Sequence, residues 1–254
     1  DCVVAVSRSI SHADLKGSSA KIEALAADVA TEQGRQKIVD HVKALCEEGT
    51  PSHQLRYLIH SAGTIDPIKS VLDVTPEEIR RSMSINCESP LLLTTALYPY
   101  MAPQAAAETS VAGRVLHVSS GAAHGAPPVG WSVYGITKAA FFQSFRVLER
   151  EFREKGGQVA VGSFKPGVVD TSMQGTIRSA SSESMPLVTN FQAMKDKVQA
   201  VPDPSRARPP PKGALDSPAN VAHFAEYLLV GTSDEEFCNK DDPSEWDIRD
   251  SSHF

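Results

Sequence analysis

Residues 114–138, RVLHVSSGAAHGAPPVGWSVYGITK, carry the reading from which the fold follows. Residues 114–118 (RVLHV) are an apolar, β-branched run that reads as a buried strand, and this strand delivers Ser119 and Ser120 at its C-terminal end. A loop of small residues and prolines follows, and a helix begins near Ser132 or Tyr134. That helix carries Ala139, Phe142, Phe145, Leu148 and Phe152 on or near one face, and Gly156 and Gly157 end it. Residues 158–164 (QVAVGSF) then give another strand. Strand, helix and strand in this order make a parallel βαβ unit. Within it, Tyr134 and Lys138 lie four residues apart and share one helix face. A phenol beside an ammonium loses its proton more readily, so the pair is a candidate proton-transfer device.

The same alternation extends in both directions. Residues 2–6 (CVVAV) are a short buried strand closed by Ser7 and Arg8, and residues 21–29 (KIEALAADV) are a second, carried by Ile22 and Leu25 with Asp28 at its end. In residues 31–49, Ile38, Val42 and Leu45 recur at helical spacing, with Gly49 and Pro51 as stop signals. Residues 55–59 (LRYLI) form a strand running into His60, Ser61, Ala62 and Gly63, a small-residue turn where backbone can approach a ligand. Thr75, Pro76 and Glu78 have the order of an N-cap, a first helical residue and a capping-box partner. The helical pattern continues to Met101 with Pro90 inside it, which predicts a kink just after Asn86. Ser217 and Pro218 open a late helix through Leu229, and a last strand is expected around Phe237. Strands alternating with helices predict an α/β fold, a doubly wound parallel sheet in three αβα layers with ligands at the carboxyl ends of the strands. Residues 172–216 interrupt the pattern with Ser-rich and then Pro-rich text; a short helix is expected over residues 191–201, and the excursion reads as a substrate-binding lid within one domain spanning residues 1–254.

Composition narrows the partners. A chain of 254 residues with 41% hydrophobic residues suffices for one large α/β domain. Its net charge of -6 argues against a nucleic-acid or anionic-membrane partner and leaves room for a local basic phosphate site. Cys2, Cys46, Cys87 and Cys238 are scattered, with no pair at metal-ligand spacing, so neither a metal site nor a disulfide framework is expected. No apolar run approaches twenty residues and the first residues lack the order of a secretory signal, so the expected location is the cytoplasm.

Taken together these residues resemble the classical short-chain dehydrogenase/reductase family, across nearly the whole chain. Tyr134 and Lys138 match its YxxxK signature, and the resemblance implies that Tyr134 is the general acid for carbonyl reduction while Lys138 lowers its pKa and binds the nicotinamide ribose. Ser120 resembles the serine that hydrogen-bonds the substrate carbonyl, with Ser119 as the alternative, and Asn86 resembles the asparagine that holds a water in the proton relay. Pro166, Gly167, Val169 and Thr171 match the PGxVxT turn that fixes the nicotinamide amide; Ser61, Ala62 and Gly63 resemble the NAG turn beside the cofactor ribose. Asp28 and Val29 resemble the pair that holds the adenine. Arg8 resembles a reader of the 2′-phosphate, which implies NADP(H) in place of NAD. The resemblance therefore implies a Rossmann-like fold, an NADP(H)-dependent reductase of a ketone or diketone, and a homodimer or homotetramer. The context Gly130, Trp131, Tyr134 resembles sepiapterin reductases and fungal benzil-reductase-like carbonyl reductases, which implies a carbonyl beside an aromatic or pterin-like body.

Three departures from the pattern stand out. His60 occupies the place of a usual asparagine, and Ser120 precedes Tyr134 by fourteen residues, one more than usual. The family also opens with a strand and a TGxxxGxG loop, and no such loop occurs here. Two readings follow: a chain that starts about one strand-loop-helix unit late, or a non-catalytic relative acting as a binding or regulatory protein. In either case the sheet is expected to be opened and some core uncovered. His117 and His124 flank the candidate site and receive no role.

Overall fold

Along two neighbouring strands, alternate side chains enter two different cores, and this period of two sets the three layers. On β4 (Gly113–Val118) and β5 (Val159–Lys165), Val115, Val159 and Val161 face α3 (Ser89–Met101) and α4 (Ser132–Glu154), meeting Met101, Phe145, Leu148 and Phe152. Leu116, Ala160 and Phe164 face the opposite way and meet Phe224 of α7 (Pro218–Glu226) and Phe237 of α8 (Asp234–Cys238). A parallel sheet buried on both faces has the helices on each side that its crossovers demand. The computed structural model describes residues 2–10, 21–47, 53–102, 111–195, 197, 209, 213–238, 245–250 and 252.

Every strand pairing among the described residues is parallel, but the strands fall into two sheets. β3 (Tyr57–His60), β4, β5 and β6 (Trp246–Asp247) form one in that order, and β1 (Cys2–Ser7) and β2 (Lys21–Ala26) form the other. The opening expected from the sequence is therefore present. It leaves Tyr57 and Ile59 of β3 exposed on the α7 side, and Val3 of β1 half exposed. The small sheet is held by α1 (Glu32–Glu47), whose Ile38 joins Leu25, Ala27 and Leu93 of α3 in a small core. Two serine hydroxyls add direct ties: Ser89 Oγ donates to the carbonyl of Val29 at 2.6 Å, and Ser84 Oγ to that of Ala30 at 3.0 Å. Gly34 permits α1 to sit here, since a Cβ at that position would lie 2.0 Å from the Asp28 carbonyl oxygen.

The capping box before α2 (Pro76–Met83) forms as the sequence implies, with Glu78 N donating to Thr75 Oγ1 at 3.3 Å and Thr75 N to Glu78 Oε2 at 2.8 Å. The kink near Pro90 takes the form of a π-helical turn over Ser84–Glu88, and Pro90 sits in the first turn of α3. Several expectations are corrected. Ala139 is exposed, because the buried face of α4 runs through Phe141 in its place. Phe237 lies in a helix: Ser233 and Glu236 cap α8 reciprocally (3.2 and 2.7 Å), and the ring packs on Gly162 of β5, where a side chain would collide with it. The last strand is β6, nine residues later, pairing with Phe164 and Lys165. The Ser-rich stretch contains a helix not expected from its composition, α5 (Ser172–Arg178), and α6 covers Val188–Lys195, ahead of the range expected for it. The stop signals Gly49 and Pro51 and most of the Pro-rich stretch lie outside the described residues. Among the described residues no helix is long and apolar enough to cross a membrane.

The serine ties predict local behaviour. Ser89→Ala removes this tie to α3, leaving the Val29 carbonyl only the Arg35 guanidinium of α1 at 2.9 Å, and should destabilise the fold by about 1 kcal/mol. Amide exchange should accelerate first in β1 and β2, as expected of a weakly attached unit. Uniform acceleration across both sheets would show that the hydroxyl does not hold the small one.

Candidate active site

The two adjacent serines at the end of β4 meet different fates. The backbone N–H of Ser119 continues the ladder to Phe164 (2.9 Å), and its hydroxyl is buried without a hydrogen-bond partner. Ser120 N-caps a short turn, Gly121–Ala123, accepting from Ala122 N at 3.1 Å, which leaves its own O–H free to donate. Ser120 is also the serine that reaches Tyr134. Tyr134 sits in the first turn of α4, 7% exposed, with Trp131 edge-on to it at 5.6 Å between ring centres. Burial pushes its phenol above the ordinary value, and a hydrogen bond with Ser120 works against that rise. The expectation that Lys138 lowers this pKa is not met, since burial and Ser120 are what act on the phenol. Lys138 Nζ donates to the carbonyl of Val118 at 3.1 Å and lies 5.0 Å from the ring centre of Phe141. Burial lowers the ammonium to about 8, against a raising effect from the carboxylate of Glu245.

Asn86, 1% exposed, occupies the π-helical turn and spends its amide on three bonds. Its Oδ1 accepts from Thr64 N at 2.8 Å; its Nδ2 donates to the Thr64 carbonyl at 2.8 Å and to Thr137 Oγ1 at 2.9 Å. Thr137 in turn donates to the Tyr134 carbonyl at 2.9 Å. The side chain thus fixes the turn after β3 against the helix that carries Tyr134 and Lys138. Gly63 lies in that turn, and a Cβ there would sit 3.4 Å from Asn86 Oδ1 and 3.8 Å from Lys138 Nζ. His60, in the place of the usual asparagine, keeps a bond of its own, Nε2 to Thr94 Oγ1 at 2.7 Å.

Two cavities meet at this turn. The smaller, about 560 Å³, is lined by Arg8, Asp28, Val29, Ser61, Ala62 and Gly63. The larger, about 1040 Å³, is lined by Ser120, Tyr134 and Lys138 on one side and by Pro166, Gly167, Val169 and Thr171 on another. Ser61 and Gly63 belong to both. The sequence-based candidates therefore converge at the carboxyl ends of the strands, with Asn86 behind the wall acting through its threonines. Gly167 has φ 73°, a left-handed conformation that suits glycine. Thr171 caps α5 with its backbone alone, so its hydroxyl makes no cap bond. Trp131, Phe191, Ile65, Ile177 and Met173 give the larger cavity an apolar, partly aromatic wall.

Residues 2–182 match the family model for short chain dehydrogenase. The chain is a member of the short-chain dehydrogenase family. It is 33% identical over 173 residues to a benzil reductase ((S)-benzoin forming) of Bacillus cereus, covering 68% of this chain and 61% of that protein. It is 34% identical over 185 residues to the sepiapterin reductase of Bos taurus, covering 71% and 64%. The matched stretches thus span less than two thirds of these relatives' own length. The YIR035C short chain dehydrogenase/reductase structure from Saccharomyces cerevisiae shares the fold, with a TM-score of 0.74 at 22% identity over 99% of this chain and 87% of that one.

Sequence reasoning passed over Thr64 and Thr137, the two partners of Asn86. Thr137 had a signal, since a hydroxyl three residues after Tyr134 shares its helix face. Thr64 had none, because its partner lies 22 residues away. His60 also has a measurable consequence. Burial lowers its pKa from 6.5 to about 3, so the unfolded chain binds a proton that the folded chain refuses between those values. Stability should fall as pH drops through that window. In urea melts at neutral pH and at about pH 4, His60→Asn should lose less stability than the parent; an equal loss would exclude His60 as the source.

Proposed function

We propose that the chain is an NADP(H)-dependent carbonyl reductase that converts a ketone or vicinal diketone beside an aromatic body into an alcohol. The observation that carries this reading is the meeting of Ser120, Tyr134 and Lys138 on one wall of a cavity whose other wall is aromatic and apolar. The family is an oxidoreductase family, and the benzil and sepiapterin reductases among the relatives act, by their names, on substrates of this aromatic kind.

The residues present fit a nicotinamide dinucleotide. Arg8 stands exposed at the smaller cavity and offers a guanidinium to a phosphate. Asp28 lines the same cavity; one of its oxygens accepts from Ala30 N at 3.0 Å, which fixes the side chain. The bare backbone of Gly63 keeps open the place where the cavities join, and Pro166, Gly167, Val169 and Thr171 supply the opposite edge. Bound there, a reduced nicotinamide supplies the hydride.

The chain's own groups then manage the oxygen of the substrate. Hydride addition turns the carbonyl carbon tetrahedral and leaves the electron pair on oxygen. Tyr134 donates its phenolic proton to that oxygen, giving the alcohol. The phenol is protonated at neutral pH and so holds the proton that this step requires. The O–H of Ser120, which bonds Tyr134 here, is placed to turn to the same oxygen as negative charge builds, which would stabilise the transition state more than the ground state. Lys138 lines the same wall, its ammonium lowered to about 8 by burial. Asn86 holds the walls in register through Thr64 and Thr137.

Tyr134→Phe removes the proton donor and leaves the ring. Benzil-dependent NADPH oxidation should fall by about 10²–10⁴-fold, while NADPH fluorescence titration of the same variant stays unchanged. A variant that keeps its rate would remove Tyr134 from the chemistry, and a folded parent chain that binds no NADPH would favour a non-catalytic relative. Arg8→Ala tests the cofactor choice: NADPH affinity should weaken by about 10–100-fold and NADH affinity should not change. An equal loss for both cofactors would assign Arg8 no part in the preference.

A further inference from the structure

Glu245 has no place in the reading above, yet its setting is unusual for an acid. It immediately precedes β6, and its side chain has 0% exposure. A buried carboxylate is strongly unfavourable unless hydrogen bonds and opposite charge compensate it. Both oxygens are engaged. Oε1 accepts from Ser163 Oγ on β5 at 2.7 Å, and Oε2 accepts from His124 Nε2 at 2.6 Å.

The two donors lead to opposite sides of the candidate site. Ser163 lies on the α4 face of β5, in register with His117 of β4, and the His117 ring stacks on Phe141 at 4.3 Å between centres. Phe141 is the ring against which the Lys138 ammonium rests. His124 belongs to the loop that runs from Ser120 to Trp131, and its ring stands edge-on to Phe142 of α4 at 4.5 Å. Glu245 thus bridges the sheet beneath Lys138 and the loop that begins with Ser120.

We propose that Glu245 is a positioning residue for the Tyr134 and Lys138 site: its carboxylate fastens the loop after Ser120 to β5 through His124 and Ser163. The inference rests on the reductase reading for its effect on rate, while the fastening stands on its own hydrogen bonds. Among the described residues the charged and titratable groups around Glu245 are few. His124 faces it from the loop, and the charge of Glu245 is felt by Lys138 of α4. His117 on β4 and His60 on β3 are held neutral by burial. Lys165 and Arg249, near β6, are paired with Asp247 at 3.2 and 2.8 Å. Among the described residues Glu245 acts to raise the Lys138 ammonium, against the lowering by burial.

Three variants of the full chain separate charge from attachment. Glu245→Gln removes the charge and keeps the shape; Glu245→Asp keeps the charge and shortens the reach; His124→Leu breaks the tie at a side chain that is 40% exposed and so tolerant of change. Lysine Nζ titration is followed by NMR of ¹³Cε-labelled protein, with the Lys138 signal assigned by its loss in Lys138→Gln. In Glu245→Gln the Lys138 midpoint should fall from about 8 by about one unit, a tenfold change in ionisation, and the alkaline limb of kcat for NADPH-dependent benzil reduction should move down by the same amount. Glu245→Asp should keep the parental midpoint. All three should accelerate amide exchange over residues 121–130, and His124→Leu should raise KM more than it lowers kcat. A folded Glu245→Gln with an unmoved Lys138 midpoint overturns the charge role, and unchanged loop exchange in His124→Leu overturns the fastening even where Glu245→Gln fails to fold. If the parent chain reduces no carbonyl, the reductase reading fails alone, and the midpoint and the exchange rates still decide the role of Glu245.

Discussion

The amide of Asn86 lies at the junction of three elements, the π-helical turn, the turn after β3 and α4. It sits in the π-helical turn between α2 and α3, grips the backbone of Thr64 at both N–H and C=O, and reaches Thr137 on α4. A two-point grip on one peptide fixes orientation as well as distance. One side chain thus ties the turn after β3 to the helix of Tyr134 and Lys138. An aspartate in its place would put an acceptor against the Thr64 carbonyl, and a longer amide would not fit a site that is 1% exposed. The extra residue of the π-helical turn is what brings Asn86 into this position, and the geometry of both cavities depends on it.

Around that junction, burial is the larger electrostatic influence. It raises the Tyr134 phenol, lowers the Lys138 ammonium and keeps His60 and His117 uncharged. Local bonds then correct each group in part, Ser120 for the phenol and Glu245 for the ammonium. The site is thus one in which neutral phenol and protonated lysine coexist near neutral pH, a combination suited to giving a proton to a nascent alkoxide. It is reached by desolvation and two polar neighbours, without any charge that is exposed to screening by salt.

Most of the framework was legible because it depends on short-range rules. The β-branched runs of β1, β4 and β5, the Thr75 and Ser217 caps and the glycines after α4 each announce their element within a few residues. Ser120 and the turn at Pro166 followed from their place at strand ends, and Tyr134 and Lys138 from their spacing on one helix face. What was not legible depends on partners distant in sequence. Ser163 and Glu245 are 82 residues apart, and neither residue type announces the other. The helix at Phe237 replaced an expected strand because its ring fills the space above Gly162, a tertiary fact, although the reciprocal cap of Ser233 and Glu236 was present to be read. The pKa of Tyr134 was misjudged for the same reason: helical spacing identified its neighbour, but only the fold reveals that the pair is desolvated and that Lys138 turns to the Val118 carbonyl.

The division of the strands into two sheets has a thermodynamic side. One wall of the smaller cavity comes from the ends of β1 and β2, the other from the turn after β3, so its width is the separation of two bodies joined by α1, α3 and two serine hydroxyls. A molecule that touches both walls is linked to the docking of the small sheet. By reciprocity, the free energy with which it secures that sheet equals the free energy by which a secured sheet tightens its binding. Affinity in that cavity and amide protection in β1 and β2 are then two measures of one quantity.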